Sequence, residues 1–133
     1  MSHQKLADLF ISFLETNTPP PGLFADDVFL DISYPQWRLQ AANVEGAVAI
    51  RKAGHPITGP VPRHRLDRTE RGFVLELEER WTDAAGAPWY CRELFRADVN
   101  DAGEISQLTV YCTGDWDQQQ VERHAREVTL LVP

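Results

Sequence analysis

The sequence predicts an α+β domain in which helices cover one face of a largely antiparallel sheet. Near the start of the chain, apolar residues recur at helical spacing, at Leu6, Leu9, Phe10, Phe13 and Leu14. From Arg63 onward, apolar and polar residues alternate as they do in strands with one buried face. The 133 residues, 43% of them hydrophobic, suit a single domain over residues 1–133 with its own core.

The first predicted helix has recognisable signals at both ends. Ser2 can cap its start, and the run Pro19-Pro20-Pro21-Gly22 prevents it from continuing. Residues 23–27 are then predicted to form one short helical turn. A strand over residues 28–34 follows that turn.

The rest of the chain predicts one more helix and a series of strands. After a turn at Pro35, residues 37–40 are predicted to be extended, and Asn43 can cap a helix over residues 44–53. The alternating pattern then predicts strands joined by short turns. These strands cover residues 63–69, 73–82, 89–99 and 104–116. A C-terminal tail over residues 117–133 has weak helical spacing.

Three segments, in this order and spacing, resemble the nuclear-transport-factor-2-like superfamily. They are Leu-Phe-Ala-Asp-Asp-Val at residues 23–28, Val-Glu-Gly-Ala-Val-Ala-Ile at residues 44–50, and Asp-Ala-Gly-Glu-Ile at residues 101–105. The resemblance implies a cone-shaped, curved mixed sheet wrapped around the N-terminal helices, with an interior pocket. It also implies a homodimer formed through the outer face of that sheet.

The superfamily includes ketosteroid isomerase, limonene epoxide hydrolase, scytalone dehydratase and small polyketide cyclases, together with non-catalytic binders, so the resemblance leaves two functions open. The first is a cofactor-free acid/base enzyme of cyclase, isomerase, dehydratase or epoxide hydrolase type, acting on a small apolar or polyketide-like substrate. The second is a non-catalytic ligand-binding or dimerisation module. The family's usual acid positions fall at or near Ile32, Phe95 and Val110, which favours the second function.

Strand parity indicates which side chains face the pocket, because alternate residues of a strand point to opposite faces. The inward residues of the strand over residues 73–82 are Leu75, Leu77, Glu79 and Trp81. Those of the next strand are Trp89, Cys91, Glu93, Phe95 and Ala97. Those of the last strand are Ile105, Leu108, Val110 and Cys112, whose uneven spacing predicts a bulge.

Hairpin geometry extends these faces into a predicted row of polar side chains. A two-residue turn at residues 71–72 would place His64 opposite Glu79, and a turn centred on Gly86 would place Glu79 opposite Glu93. The last strand would bring its cysteine beside Glu93. The resulting inward row is His64, Glu79, Glu93 and Cys112, of which Glu79, Glu93 and His64 are the candidate catalytic residues.

This row matters chemically because the ionisation of two neighbouring carboxyl groups in a low-dielectric cavity has a large free-energy cost. One of them then keeps its proton and becomes a proton donor beside a proton acceptor. His64 beside Glu79 would share that proton. In the alternative interpretation, Glu79 and Glu93 are buried partners of Arg38 or Arg65, or lie at the solvated rim.

Further candidates would bind the ligand directly. An aromatic surface for a flat or cyclic ligand would be provided by Tyr34, Trp37, Trp81, Trp89 and Trp116. Arg38 would bind a carboxylate or phenolate. The alternatives are ordinary core packing for the aromatic residues and a surface salt bridge for Arg38. The remaining candidate ligand-binding residues, from the inward faces, are Cys91, Phe95, Val110 and Cys112. Both cysteines are expected to be reduced thiols.

Composition narrows the expected partners and cofactors. The net charge of −7, without a cluster of basic residues, argues against binding to nucleic acid. The longest apolar run is far shorter than the ~18 residues of a membrane span, and the polar start lacks a signal peptide. The four histidines are scattered without ligand spacing, so we expect neither metal nor cofactor. We therefore expect a cytoplasmic protein that binds a small apolar molecule.

Overall fold

A computed structural model describes residues 2–133 and shows three helices and one six-stranded sheet that does not close. The helices are α1 (His3–Thr16), α2 (Val44–Gly54) and α3 (Gln118–Glu127). The strands are β1 (Phe24–Tyr34), β2 (Trp37–Ala41), β3 (His64–Arg68), β4 (Gly72–Thr82), β5 (Pro88–Val99) and β6 (Ile105–Cys112). This is the predicted α+β fold, with a curved mixed sheet around the N-terminal helices.

Side-chain caps start each helix, two of them where the sequence predicted. The Ser2 side chain accepts a hydrogen bond from the Lys5 N–H, and Asn43 accepts one from the Gly46 N–H. Asp117 caps α3 in the same way, so part of the tail is helical. Asn17 ends α1 in the left-handed conformation, at φ 60°, and its N–H donates to the Phe13 carbonyl.

The strand order is β2-β1-β6-β5-β4-β3, and only β1 and β6 are parallel neighbours. The predicted bulge in β6 is confirmed. Val99 pairs with Ile105 whereas Asp98 pairs with Gln107, which leaves one extra residue in β6. Because β6 joins the N-terminal strands to the β3–β5 meander, residues from both halves of the chain meet over its inner face.

The prediction of a helical turn at residues 23–27 is wrong. Phe24 already pairs with Ile105, and the Leu23 carbonyl accepts the Ile105 N–H at 2.9 Å. This segment is short and carries no strong helical periodicity of its own. Pairing with a strand about 80 residues away therefore decides its conformation, a tertiary effect that local propensity does not report.

The predicted pairing of β3 with β4, and of β4 with β5, is wrong by two residues. His64 pairs with Leu77 rather than Glu79, and Glu79 pairs with Cys91 rather than Glu93. In the first hairpin, Thr69 bonds to Gly72, so each turn is centred one residue earlier than predicted. A two-residue shift leaves every side chain on its predicted face, so the inward alternation of β4 and β5 is confirmed.

The core lies between the inner face of the sheet and helices α1 and α2. Phe10 is central to it, because its ring meets Phe95 at 4.8 Å and Phe24 at 6.2 Å in edge-to-face arrangements. Helix α3 lies against β5 instead, where Trp116 packs between the Tyr90 and His124 rings. Among the described residues, no helix has the length and apolar character that crossing a membrane requires.

Candidate functional site

A cavity of about 340 Å³ lies between α1, α2 and the inner face of β1, β5 and β6. Its walls are largely apolar and include Phe10, Phe13, Leu30, Ile32, Phe95 and Val110. Its polar groups gather where α2 ends and β6 leaves the sheet. They belong to Tyr34, Arg51, His55, Glu93, Cys112 and Asp115. The volume is at the lower end of the range for small-molecule sites.

A buried ion pair supports this polar end. Arg51, in the last turn of α2, reaches Glu79 on β4 through two hydrogen bonds of 2.6 and 2.9 Å. The side chains of Arg51 and Glu79 are only 8% and 2% exposed. The guanidinium also donates to the Leu14 carbonyl and to Asn17 Oδ1, so the α1 C-terminus helps to hold it. This bidentate pairing with a planar guanidinium holds the carboxylate in one orientation and favours its ionised form.

Glu93 is the second buried carboxyl group, and it differs from Glu79 in protonation. Burial, followed by the hydrogen bond to Glu79 and its negative charge, raises the pKa of Glu93 well above the usual value. Burial alone would also raise the pKa of Glu79, but hydrogen bonds from Glu93 and Arg51, and the Arg51 charge, lower it. Near neutral pH the pair therefore holds one proton, on Glu93, which donates to ionised Glu79.

His55 and Asp115 form the opposite side of the polar end. His55 Nε2 lies 3.6 Å from Asp115 Oδ1, and the His55 side chain is 13% exposed. Burial, and then the Arg51 charge, lower the pKa of His55, although Glu79 and Asp115 act in the other direction. Burial raises the pKa of Asp115, against the effect of His55. The imidazole is therefore neutral at neutral pH and retains a proton-accepting nitrogen.

Four groups of this region could in principle hold a metal ion. One ligand atom each of His55, Glu79, Cys91 and Glu93 lies within 4.8 Å of the others. However, both oxygens of Glu79 are already bonded to the Arg51 guanidinium. Hydrogen bonding to Cys112, then burial and the carboxylate charges, raise the pKa of Cys91, so its thiolate is disfavoured. The Arg51 pairing of Glu79 and the raised pKa values of Cys91 and Glu93 therefore disfavour metal binding by this cluster.

Five of the predicted site residues line the cavity, and two lie directly behind it. The lining residues are Tyr34, Glu93, Phe95, Val110 and Cys112. Glu79 and Cys91 are fully buried beneath them, and Cys91 Sγ lies 3.4 Å from Glu93 Oε1. Glu93 pairs with Cys112 across β5 and β6, as predicted. Both cysteines are free thiols.

The remaining predicted residues do not reach this cavity. His64 is exposed and pairs with Leu77, so its predicted place beside Glu79 is wrong. Trp37 is exposed beside the β1–β2 turn, and the exposed Arg38 bonds to Asp31 at 2.8 Å. Arg38 therefore forms the surface salt bridge that was the alternative to ligand binding.

Two of the predicted aromatic residues pack behind the site instead. Trp81 and Trp89 stack on each other with ring centroids 6.2 Å apart. Trp81 also meets the His55 ring edge to face at 5.0 Å. Neither tryptophan lines the cavity, so both support the histidine rather than a ligand.

Sequence reasoning missed Arg51, His55 and Asp115 as parts of the site. The partner proposed for the carboxylates was Arg38 or Arg65, but these pair with Asp31 and Asp67. Helical periodicity held a usable signal, because the cavity-lining residues of α2 include Ala47, Ile50, Arg51 and Gly54. An arginine on the apolar face of a helix predicts a buried acidic partner.

Comparisons with known proteins agree on the fold. No protein-family model and no curated protein matches the sequence. Solved structures of NTF2-like proteins do match the fold of this chain. The chain therefore has the nuclear-transport-factor-2-like fold that the resemblance implied.

Three solved structures illustrate the match. A protein assigned as an isomerase from Rhodopseudomonas palustris aligns with a TM-score of 0.60 and 11% identity, covering 96% of this chain and 98% of that one. A protein assigned as a SnoaL-like polyketide cyclase from Mesorhizobium loti gives 0.56 and 17%, with coverages of 84% and 99%. An LEH-like epoxide hydrolase from M. tuberculosis gives 0.58 and 13%, with coverages of 91% and 82%.

Proposed function

We propose that this chain is a cofactor-free acid/base enzyme that acts on a small, uncharged, apolar molecule. The observation that carries the proposal is the position of Glu93. It is 5% exposed, lies at the polar end of an apolar cavity and is hydrogen bonded to a carboxylate that Arg51 holds ionised. A buried carboxylic acid that keeps its proton near neutral pH is suited to donate it to a substrate oxygen.

The cavity supports the same proposal through its charge. The Arg51 and Glu79 charges cancel within one ion pair, and Glu93 and His55 are neutral near neutral pH. An anionic ligand would lose its hydration at the apolar walls without a free counter-charge, and the remaining acidic group, Asp115, would repel it. A neutral molecule with one oxygen function would instead lose little hydration free energy. Its oxygen would accept a hydrogen bond from the protonated Glu93.

The structural relatives also support a reaction of this kind. The three described above are assigned as an isomerase, a polyketide cyclase and an epoxide hydrolase. Each of these reactions moves protons on or near an oxygen function, and such chemistry needs positioned acids and bases rather than a cofactor. The fold therefore accommodates the proposed chemistry. The roles of Glu93, Glu79 and Arg51 rest on the geometry of this chain and not on the relatives.

The test is a panel of neutral cyclic ketones, enones and epoxides incubated with the protein in D₂O. Mass spectrometry then detects deuterium incorporation, isomerisation or hydrolysis. We expect at least one class to react, and we expect Glu93→Gln to slow that reaction by roughly 10²–10⁴-fold. Glu76→Gln, the same change at an exposed position of β4, should leave the rate unchanged.

Two results would overturn the proposal. If no member of the panel reacts, the chain is not an acid/base enzyme of this kind. Binding of the unreactive compounds, measured by calorimetry, would then favour the non-catalytic ligand-binding module. If a reaction occurs but Glu93→Gln retains the full rate, Glu93 is not the proton donor.

A further inference from the structure

We propose that Cys112 is a covalent attachment site in the cavity, where its sulfur adds to a small neutral α,β-unsaturated carbonyl compound. Such an adduct needs the cavity but not the acid/base reaction, so it goes beyond the proposed function. The Cys112 sulfur reaches the cavity, two hydrogen-bond donors surround it, and the protonated Glu93 lies opposite it across the sheet.

The two cysteines of the inner face differ in their access to a ligand. Cys112, the last residue of β6, lines the cavity and is partly exposed. Cys91, on β5, is 0% exposed and does not line the cavity. A ligand in the cavity therefore meets only the Cys112 sulfur, and Cys91 provides an internal comparison for its reactivity.

Two hydrogen-bond donors stabilise the Cys112 sulfur as a thiolate. The sulfur atoms of Cys91 and Cys112 lie within 4.8 Å of each other. The Gly114 N–H donates to Cys112 Sγ at 3.4 Å, where the chain turns at a φ of 83°. The hydrogen bond from Cys91, and after it that from Gly114, lower the pKa of Cys112 against the effect of burial. The thiolate is the nucleophilic form of cysteine, so Cys112 is the reactive thiol of the pair.

The acidic groups around the sulfur oppose this thiolate only in part. The titratable groups nearby are Tyr34 on β1, Glu79 on β4, Cys91 and Glu93 on β5, and Asp115 after β6. The charges of Asp115 and Glu79 raise the pKa of Cys112, but Glu79 is already paired with Arg51. Glu93 keeps its proton and adds no negative charge beside the sulfur.

The strand pairing keeps the two thiols from closing a disulfide. Cys112 pairs with Glu93, so Cys91 lies diagonally from it, two residues away along β5. Diagonal neighbours in an antiparallel pair have Cα atoms about 7–8 Å apart, beyond the ~4.4–6.8 Å of most disulfides. The Cys112 thiol therefore stays available to a ligand.

The position of Glu93 selects the kind of electrophile. Directly paired residues of antiparallel strands have Cβ atoms about 4.5–5.5 Å apart, so Glu93 and Cys112 are neighbours in the cavity wall. A conjugated O=C–C=C unit has a hydrogen-bond acceptor at one end and an electrophilic carbon at the other. Its oxygen can accept a hydrogen bond from Glu93 while its terminal carbon meets the sulfur. The apolar walls favour a neutral molecule as the carrier of this unit.

The proposed addition conserves protons and electrons. The Cys112 thiol first releases its proton to water. A sulfur electron pair then forms the C–S bond to the β-carbon, the C=C electrons form a double bond between the α-carbon and the carbonyl carbon, and the carbonyl π electrons move to the oxygen. The α-carbon takes a proton from water as the carbonyl group forms again. The product is a thioether, and no oxidant or reductant is consumed.

The experiment treats the wild type with 2-cyclohexenone at pH 7 and follows the adduct by intact-protein mass spectrometry. We expect one adduct per chain, which peptide mapping places on Cys112. Cys112→Ser should form none, and Cys91→Ser should still react at Cys112 but more slowly, because one donor to the thiolate is lost. In urea, the unfolded chain should react at both cysteines and about 10-fold more slowly per thiol, because an ordinary thiol is only a few per cent ionised at pH 7.

A matched pair of reagents tests whether the reaction takes place inside the cavity. Iodoacetamide is neutral and iodoacetate is an anion, and both alkylate thiolates. The apolar walls and Asp115 should exclude the anion. The preference of the protein for iodoacetamide over iodoacetate should therefore exceed that of free N-acetylcysteine by about 10-fold.

Several results would overturn the attachment site. They are an adduct on Cys91, no adduct on the folded wild type, or equal rates for the folded and unfolded chains. Equal reagent preferences of the protein and free N-acetylcysteine would place the reactive sulfur outside the cavity. The wild-type peptide map does not depend on the folding of any variant.

The outcomes also separate the attachment site from the proposed function. Turnover of the earlier panel that depends on Glu93, without an adduct on Cys112, would refute only the attachment site. An adduct on Cys112 without any turnover would refute only the acid/base enzyme.

Discussion

Replacement of Glu79 by glutamine tests whether the Arg51 ion pair holds the polar end of the cavity together. Glutamine has nearly the same shape, so the change removes the negative charge without creating a void. Arg51 would then be a buried cation whose partners are all neutral: the glutamine amide oxygen, the Asn17 side chain and the Leu14 carbonyl. Glu93 would also lose the neighbouring charge that helps to retain its proton.

The magnitude follows from these contacts. Removing one partner of a buried ion pair costs about 3–5 kcal/mol of unfolding free energy. In Glu79→Gln, Glu93 can ionise beside Arg51, and this new pairing can restore part of the lost unfolding free energy. The double variant Glu79→Gln/Glu93→Gln has no such relief, so it should lose the full ~3–5 kcal/mol, or about 10–20 °C in Tm for a domain of this size. Glu93→Gln alone should lose no stability and should gain some at pH 7, because it replaces a neutral group whose raised pKa lowers the unfolding free energy at that pH.

The assay is urea unfolding at pH 7 of the wild type, both single variants and the double variant. Glu76→Gln is the control at an exposed position of β4. We expect the double variant to lose more stability than the two single variants combined, with a coupling energy within the ~0.5–3 kcal/mol seen for contacting residues.

Two patterns would refute the reasoning. If the double variant unfolds within ~1 kcal/mol of the wild type, the buried pair does not stabilise the fold. If Glu93→Gln is as destabilising as Glu79→Gln, Glu93 is itself an ionised partner of Arg51, and it cannot be the neutral proton donor.

Three further predictions address pH, the cavity and the outer face. Because the folded pKa of Glu93 is raised, the wild type loses stability as pH rises from the ordinary glutamate pKa of about 4.3 towards the folded value. Glu93→Gln should therefore gain stability relative to wild type over that range in urea titrations. Val110→Phe should fill the cavity and abolish binding of 2-tetralone, a neutral cyclic ketone, while lowering the unfolding free energy by ~1–3 kcal/mol. An unchanged calorimetric titration would contradict the cavity as the ligand site. We propose a homodimer through the outer face, where Leu94 and Tyr111 pair across β5 and β6 at 40% and 62% exposure. Sedimentation should give twice 15.1 kDa, and Leu94→Glu should give the monomer; a wild-type monomer at micromolar concentration would refute the dimer.

The sequence by itself determined most of the elements and their buried faces, but not the strand conformation of the segment that begins at Phe24. The residues of α1 and the Ser2 cap could be read locally, because helix formation depends on neighbours three and four positions apart. The inward faces of β4 and β5 followed from alternation, and Glu79 and Glu93 therefore had to lie inside. Parity survives a register error of two residues, which is why both glutamates were placed correctly although their pairing was not.

Only the tertiary structure decided the partners. Whether Glu79 meets Arg38, Arg65 or Arg51 depends on how α2 crosses the sheet, and no local pattern encodes that crossing angle. The same holds for His55 and Asp115, which are 60 residues apart and meet because α2 and the end of β6 converge on one end of the cavity. The protonation states of Glu79 and Glu93 followed from this convergence, because a buried carboxyl group keeps or loses its proton according to the charges packed around it.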